Sequence, residues 1–211
     1  MKTATFKEWD LDGLDEAFGL KQIWQSDLLV QWESNHEEIS EFEKQYILNL
    51  QKTLIRGGKA WNEVELENKF ISPMIVTANI DDERIGYFLE RPLSGVIGEY
   101  QLSGMVDGMI ATGTRNPHVP YFCLHEYKRH VENQGTPDGQ VLAAMLVARE
   151  MNNNKLPIYG LVIIGLGWSF IVLQGNEYCI SNNYSADGND IFAIFKMLKA
   201  LKQIINKELT L

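Results

Sequence analysis

The chain has 211 residues, of which 45% are hydrophobic and 22% are charged, and this length is sufficient for one well-packed domain. The balance of apolar and charged residues is that of an ordinary folded protein, which excludes a disordered, collagen-like or repeat sequence. The formal net charge is −9, which counts against a broad basic surface for binding nucleic acid.

The acidic charge is concentrated near the N-terminus. Residues 1–43 contain eleven acidic residues and three lysines, a local charge of −8, so the remaining residues are nearly neutral. Apolar spacing predicts helices over residues 10–19, over residues 26–33, and from residue 38 to the glycine pair at 57–58. We therefore divide the chain into an acidic helical N-terminal extension, residues 1–60, and a main domain, residues 61–211. The apolar face of the extension, which includes Phe42 and Tyr46, is expected to pack on the main domain or on a protein partner.

Two features predict the cellular compartment. Cys123 and Cys179 lie far apart in apolar stretches, which is typical of reduced core thiols rather than of a disulfide framework or a zinc site. No apolar signal segment follows Met1, so a cytoplasmic location is expected. Residues 156–173 carry no charge, but their glycines and β-branched residues predict a buried hairpin turning at Gly165 and not a membrane helix.

The main domain is predicted to begin with a helix that carries acids on an apolar face. Asn62 and Glu65 form a capping box at its start, and Pro73 marks its end or a kink. At about 100° per residue, Glu63 and Glu67 fall within the apolar face, whereas Glu65 points away. Because a carboxylate among apolar residues is costly unless it is paired, Glu63 is expected to point toward the interior or a cleft. Glu67 is the other candidate for this role, but it could instead form an ion pair with a neighbouring basic residue, Lys69 or Arg56.

The elements that follow alternate between strands and helices. Strands are predicted over residues 85–90, 96–103 continuing into 105–111, and 119–127, then a helix over 140–151, strands over 158–164, 169–174 and 177–181, and a helix over 190–207. This order predicts an α/β sandwich with a mixed central sheet flanked by helices. The strand before the helix at Gln140 is expected to be central.

Three residues on two neighbouring strands carry the predicted chemistry. Asp107 is the one acid in an otherwise apolar strand, while Glu126 and Lys128 share a face of the next strand because alternate residues point the same way. An antiparallel pair of strands would bring the three together. Carboxylates hold Mg²⁺, which activates water and stabilises charge on a phosphate. A neighbouring lysine can orient or deprotonate that water, so the set is suited to phosphodiester hydrolysis.

This arrangement resembles a known family. The order of Glu63, Gly104-Met105-Val106-Asp107, Glu126-Tyr127-Lys128 and Gln140 is similar to the PD-(D/E)XK nuclease superfamily, which has the restriction-endonuclease-like αβββαβ core, and the similarity spans residues 61–181. The resemblance implies that Asp107 and Glu126 are metal ligands together with the carbonyl of Tyr127, that Lys128 serves the attacking water, and that Glu63 assists the metal. Gln140 is similar to a glutamine that some branches place beside the lysine.

The resemblance also implies a cofactor and partners. Mg²⁺, with Mn²⁺ as a substitute, and a nucleic acid, DNA, are expected, and a homodimer is compatible with cutting both strands. In the motif, Val106 stands where the family name has proline. A DNA-reading module such as a zinc finger or helix-turn-helix is not visible in the sequence. No membrane association is expected.

Other interpretations of the same residues remain open. A lone Glu-X-Lys is most often a structural ion pair, and Asp107 could only cap a turn with Gly108. The chain could be a catalytically silent nuclease-fold module that binds a protein or nucleic-acid partner. A glycosidase with a carboxylate pair is a third option, against which Lys128 argues.

The histidines and further basic residues are candidates for secondary roles. His125 is expected to be a packed strand residue, whereas His118 and His130 could be surface groups or substrate contacts, and Gln140 could form only a hydrogen bond at the start of its helix. Lys199 and Lys202 could contact phosphate or form a solvated helix face. Few basic residues lie near the predicted site, namely Arg115, Lys128, Arg129 and Lys155. Nucleic-acid binding through a local cleft is therefore expected.

Overall fold

The computed structural model describes residues 1–128, 136–153 and 156–210. The strands are β1 (Lys2–Thr5), β2 (Lys21–Gln22), β3 (Ile85–Ile97), β4 (Tyr100–Thr112), β5 (His118–Lys128), β6 (Ile158–Ile164), β7 (Gly167–Gln174), β8 (Glu177–Ile180) and β9 (Tyr184–Ser185). The helices are α1 (Leu11–Phe18), α2 (Asp27–Glu33), α3 (Glu41–Gly57), α4 (Glu63–Leu66), α5 (Ser72–Thr77), α6 (Pro137–Met151) and α7 (Ile191–Glu208). Short 3-10 turns span Phe6–Glu8 and Gly58–Ala60, and a π-helical segment, Glu67–Ile71, joins α4 to α5.

One mixed sheet contains the nine strands of the described residues. Its order is β1-β4-β5-β6-β7-β8-β2, with β3 along the other edge of β4 and β9 against β7. The pairs β1–β4, β2–β8 and β5–β6 are parallel, and the remaining pairs are antiparallel. The predicted α/β class with a mixed, helix-flanked sheet is confirmed, and β5 has a central position.

Helices cover both faces of this sheet, so the protein has three layers. On one face, α6 is buried along nearly its whole length, beginning where Thr136 Oγ1 accepts a hydrogen bond from the Gly139 amide at 3.0 Å. On the other face, α7 and the segment from α4 to α5 bury their apolar sides. Because β5 lies between both layers, every residue from Tyr121 to Lys128 is buried, as is typical of a strand covered on two sides.

Several predicted boundaries are corrected by the structure. The strand predicted to run through residues 96–111 is divided, because Gly98 adopts φ +57° and begins a turn between β3 and β4. The helix predicted to end or kink at Pro73 continues to Thr77, since Pro73 lies in the first turn of α5, where its missing amide donor costs little. The hairpin predicted at Gly165 and the capping box of Asn62 and Glu65 are confirmed.

The acidic N-terminal region contains the three predicted helices and also two strands that were not predicted. β1 pairs with β4 and β2 with β8, so residues 1–60 complete two edges of the sheet. Trp32 is buried, and its indole Nε1 donates to the carbonyl of Met197 in α7 at 2.8 Å. On α3, by contrast, Phe42 and Tyr46 stack on each other at the surface, where Phe42 is 76% exposed.

Cys123 and Cys179 are both free and buried, as predicted. Within the described ranges, no helix combines the length and the apolar character needed to cross a membrane.

Candidate active site

The candidate site lies where β4 and β5 stop pairing. Their last paired residues are Gly108 and His125, beyond which β5 continues along β6 as far as Lys128. In the opening between the two strands, Asp107 Oδ2 accepts a hydrogen bond from the backbone amide of Tyr127 at 2.6 Å. The Asp107 carboxylate therefore replaces a sheet hydrogen bond, and this contact holds it next to the motif strand.

A local kink in β3 and β4 at Glu90 and Asp107, which we call the crease, accompanies this opening. The register between the two strands is continuous on both sides of Glu90 and Asp107, but these two residues do not pair. Glu90 has φ +49°, a left-handed conformation that is uncommon for a residue with a side chain. Val106 and Met109, three residues apart, consequently pack in the same core, although alternation would put them on opposite faces. The crease brings a second carboxylate, that of Glu90, beside Asp107.

Glu126 and Lys128 form a buried ion pair on one face of β5. Lys128 Nζ lies 2.9 Å from Glu126 Oε1, and the two residues are 6% and 2% exposed. Besides this ion pair, no hydrogen bond from the described residues reaches Glu126 Oε1, so this buried oxygen retains unused acceptor capacity. The pair is thus strong in charge and incomplete in hydrogen bonding.

The opposite face of β5 carries an aromatic network that packs behind the site. The Tyr127 hydroxyl lies 2.8 Å from His125 Nδ1 and 2.9 Å from the Tyr87 hydroxyl. Burial lowers the pKa of His125 to about 3, so its imidazole is neutral. The prediction that His125 is a packed strand residue is confirmed.

Two acids on the helical segment beside the sheet face the same opening. Glu63 Oε1 lies 4.0 Å from Lys128 Nζ, with its side chain about half exposed. Four residues later, Glu67 is less exposed, and residues four apart share one helix face. Glu67 does not form the predicted alternative ion pair with Lys69, because Lys69 pairs with Glu65 on the far side of the helix. Both Glu63 and Glu67 therefore belong to the candidate site.

Burial, together with repulsion among these carboxylates, raises their pKa values. Burial, followed by the charge of Asp107, raises the pKa of Glu126 to about 7, although Lys128 and Lys7 act in the opposite direction. The pKa of Asp107 is also raised, mainly by burial, although the Tyr127 amide and Lys128 offset part of the shift. The pKa of Glu67 is raised by burial and by the charges of Glu90 and Asp107. The site therefore holds more negative charge than its own cations neutralise.

Lys128 remains charged in this setting. Burial lowers its pKa, but the opposing effect of Glu126, supported by Glu63 and Asp107, is larger in sum, so the pKa of Lys128 is raised. A protonated ammonium donates hydrogen bonds and cannot accept a proton. This protonation state favours orienting the water and stabilising negative charge over deprotonating the water.

Gln140 is buried near the start of α6, a helix that packs against β5. In the described ranges, its side chain is not a hydrogen-bond partner of Asp107, Glu126 or Lys128. The structure therefore places Gln140 on a helix that packs against β5, without a hydrogen bond to the other site residues.

Sequence reasoning overlooked Lys7 and Glu90. Lys7 lies in the 3-10 turn after β1, and its charge reaches Glu126. Glu90 was assigned to the end of a strand, yet its φ of +49° bends the chain there. The sequence contains a signal for this bend. The charged residues Glu90 and Arg91, followed by Pro92, interrupt the strand at its middle. No local signal indicated Lys7.

The remaining candidates lie elsewhere or outside the described residues. His118 and Arg115 are at or before the start of β5, at the opposite end of this strand from Lys128. Lys199 pairs with Glu43 at 2.8 Å, and Lys202 donates to the carbonyl of Asn79 at 2.7 Å, so both contribute to packing. Three other candidates lie outside the described residues, namely Arg129, His130 and Lys155.

The donor set of the site fits a hard divalent cation. It consists of carboxylate oxygens, the ligands that Mg²⁺ prefers, and among the described residues the buried Glu126 Oε1 accepts no hydrogen bond besides its ion pair with Lys128. Among the described residues, no three His, Cys, Asp or Glu side chains are grouped closely enough to form a complete protein ligand set. Mg²⁺ does not require such a set, because it usually keeps several waters and binds one or two carboxylates. Asp107 and Glu126 would hold the ion, and Glu63 and Glu67, which interact electrostatically with Asp107, would add negative charge beside it.

No protein-family model matches the chain, and no curated protein is significantly similar to it.

Proposed function

We propose that the protein is a metal-dependent phosphodiester hydrolase, an endonuclease that acts on DNA through a restriction-endonuclease-like core. The proposal rests on one observation, which is that Asp107 lies next to the ion pair of Glu126 and Lys128. Asp107 enters the opening between β4 and β5 and binds the Tyr127 amide, directly beside the buried pair of Glu126 and Lys128. A purely structural ion pair between Glu126 and Lys128 does not account for the second, half-buried acid, Asp107, whose carboxylate is held beside it.

The charge of the site supports a cation between the carboxylates. The raised pKa values of Asp107, Glu126 and Glu67 are a cost that a divalent cation would remove. Bound there, Mg²⁺ would lower the pKa of a coordinated water and offset charge on a phosphate. Mn²⁺ has the same preference for oxygen ligands and is expected to substitute.

The protein's own residues have separate tasks in this proposal. Asp107 and Glu126 supply the carboxylate oxygens, and the Tyr127 amide fixes the position of Asp107. Lys128, held by Glu126 and lying 4.0 Å from Glu63, orients the attacking water and stabilises the negative charge that develops on the phosphate. The water-facing side of the site is the one on which Glu63 is half exposed, so substrate approaches from there.

A cleavage assay tests the proposal. Purified protein is incubated with plasmid DNA and with single-stranded DNA in Mg²⁺ or Mn²⁺, alongside Asp107→Asn, Lys128→Ala and the surface control Asp12→Asn. The wild type and the control are expected to cut, and the two site variants to lose at least about 100-fold in rate while remaining folded by circular dichroism. Equal activity in all four proteins, or no metal-dependent cutting by the wild type, would remove the assignment.

A second candidate is a catalytically silent module that binds a protein partner through the N-terminal helices. One observation favours it: the stacked pair Phe42 and Tyr46 is exposed on α3, beside the exposed Val76 of α5. Exposed apolar residues in a continuous patch are typical of interaction surfaces. If the cleavage assay is negative, Phe42→Ser in a partner-capture experiment becomes the informative variant.

A further inference from the structure

We propose that Lys7, which lies between the end of β1 and the end of β5, binds a phosphate group of the nucleic-acid strand at the candidate site. This inference rests on the proposed function and extends it, because it assigns a substrate-binding role to the acidic N-terminal region.

A gap between the end of β1 and the end of β5 follows from the pairing of β4. A strand has two hydrogen-bonding edges, and β3 occupies one edge of β4 along nearly its whole length. β1 and β5 must therefore share the other edge. β1 pairs with Tyr100–Ser103 and β5 with residues 108–112, so no described strand pairs with residues 104–107 on that edge. Asp107 lies at one end of this gap.

The course of the chain after β1 leads into the gap. β1 runs parallel to β4 and pairs Thr5 with Ser103, so the next residues pass beside Gly104 and Met105. The Phe6 ring confirms this course, because it packs so closely against Gly104 that a Cβ there would collide with Phe6 Cδ2. Lys7 follows Phe6 directly and therefore stands between the end of β1 and Asp107. The charge of Lys7 also reaches Glu126, where it offsets part of the rise in the pKa of that carboxyl.

The backbone that carries Lys7 is firmly held. Phe6 is 1% exposed, and the Glu8 carboxylate accepts hydrogen bonds from the Thr5 amide and hydroxyl at 3.3 and 3.2 Å. On the other side, the Trp9 carbonyl accepts from the Thr136 amide at 3.4 Å, at the start of α6. A fixed backbone reduces the entropy lost when the lysine orders on a ligand.

Within the part of the chain that the structure describes, the Lys7 side chain is available to a ligand. Its side chain is exposed, and within the described ranges no carboxylate forms an ion pair with it. Lys128, in contrast, is committed to Glu126. A substrate phosphate beside the carboxylate cluster needs an additional cation, because the cluster repels it, and Lys7 supplies that charge.

Binding of a short fluorescent DNA duplex tests the inference. Anisotropy is measured in Ca²⁺ at a series of salt concentrations for wild type, Lys7→Ala, Lys7→Arg and Lys21→Ala. Lys21 is an exposed lysine of β2, at the opposite edge of the sheet, and serves as the matched control. Lys7→Ala is expected to weaken binding several-fold and to reduce the slope of log affinity against log salt by about 1. Lys7→Arg should restore both quantities, and in cleavage assays KM should rise more than kcat falls.

The outcomes separate this inference from the proposed function. If the wild type binds and cuts while Lys7→Ala and Lys21→Ala behave alike, the role of Lys7 is wrong and the nuclease proposal stands. Weaker binding with an unchanged salt slope also overturns it, since loss of a phosphate contact must change the slope. A wild type that neither binds nor cuts DNA overturns both.

Discussion

The backbone amide of Tyr127 donates a 2.6 Å hydrogen bond to the Asp107 carboxylate, which joins two residues twenty positions apart at the point where their strands separate. The bond satisfies an amide that sheet pairing leaves without a partner and fixes the acid beside Glu126. Because the donor is a backbone group, the contact does not depend on the side chain at position 127. The geometry of the candidate site is therefore part of the sheet itself.

Metal affinity is expected to increase with pH. Since the pKa of Glu126 is raised to about 7, most molecules carry a protonated Glu126 at pH 6, and a cation must displace that proton. Between about pH 6 and about pH 8, the Mg²⁺ affinity of the wild type should rise at least about tenfold by isothermal titration calorimetry. The raised pKa of Asp107 acts in the same direction. Glu126→Gln should bind weakly with a shallower pH dependence, and a flat profile in the wild type would contradict the assignment.

Stability without metal is expected to have the opposite pH dependence. Glu126 holds its proton more tightly in the folded than in the unfolded chain, so its contribution is fully present below pH 4.5 and is lost as the pH rises through about 7. The free energy of unfolding of the wild type should therefore fall across this window in EDTA, measured by urea denaturation. The fall should be smaller in Glu126→Gln. An equal fall in both proteins would assign it to other groups.

Glu67 is expected to support the metal, whereas Glu65 is not. Glu67 lies near Asp107 and Glu90, whose charges raise its pKa, while Glu65 caps the helix at Asn62 and pairs with Lys69. Glu67→Gln should weaken Mg²⁺ binding about tenfold, the lower end of the effects found for groups behind a metal ligand. Glu65→Gln, two positions away on the same helix, is the control and should bind Mg²⁺ like the wild type. Equal affinities in the two variants would place Glu67 outside the site.

The left-handed backbone conformation of Glu90 is expected to lower the free energy of unfolding, and substitution by glycine should relieve this strain. Glu90→Ala and Glu90→Gly both remove the carboxylate next to Asp107, but only glycine adopts φ +49° without strain. The free energy of unfolding should therefore be about 1 kcal/mol higher for Glu90→Gly than for Glu90→Ala in urea denaturation. Because the two variants share the loss of charge, their difference reports the backbone alone. A more stable alanine variant would show that the crease is not strained.

Tyr127→Phe is expected to destabilise the protein without loosening Asp107. The substitution removes the hydroxyl that contacts both His125 Nδ1 and the Tyr87 hydroxyl, leaving these buried groups without that partner at a cost of about 1–3 kcal/mol. The amide bond to Asp107 is unaffected, so Mg²⁺ affinity should remain close to that of the wild type. Urea denaturation and calorimetry measure the two effects, and Tyr46→Phe on the surface of α3 is the control. A large loss of Mg²⁺ affinity in Tyr127→Phe would show that the aromatic network positions the site.

The sequence by itself determined the local features of this protein. Asn62 and Glu65 lie three residues apart and form their capping box within one helical turn. Glu126 and Lys128 share a face of β5 because side chains in a strand alternate with a period of two, and they pair at 2.9 Å. Such features depend on neighbours in the chain, so the pattern of residue types is sufficient to predict them.

Only the tertiary structure decided how distant segments complete the site. β1 has the sequence Lys-Thr-Ala-Thr, without a strong strand pattern, and it is a strand because β4, about a hundred residues later, offers a free edge. The position of Lys7, the crease at Glu90 and the opening that admits Asp107 all follow from such long-range pairing. These contacts form when the gain from completing the sheet exceeds the entropy of closing long loops, a balance that no local pattern of residues records.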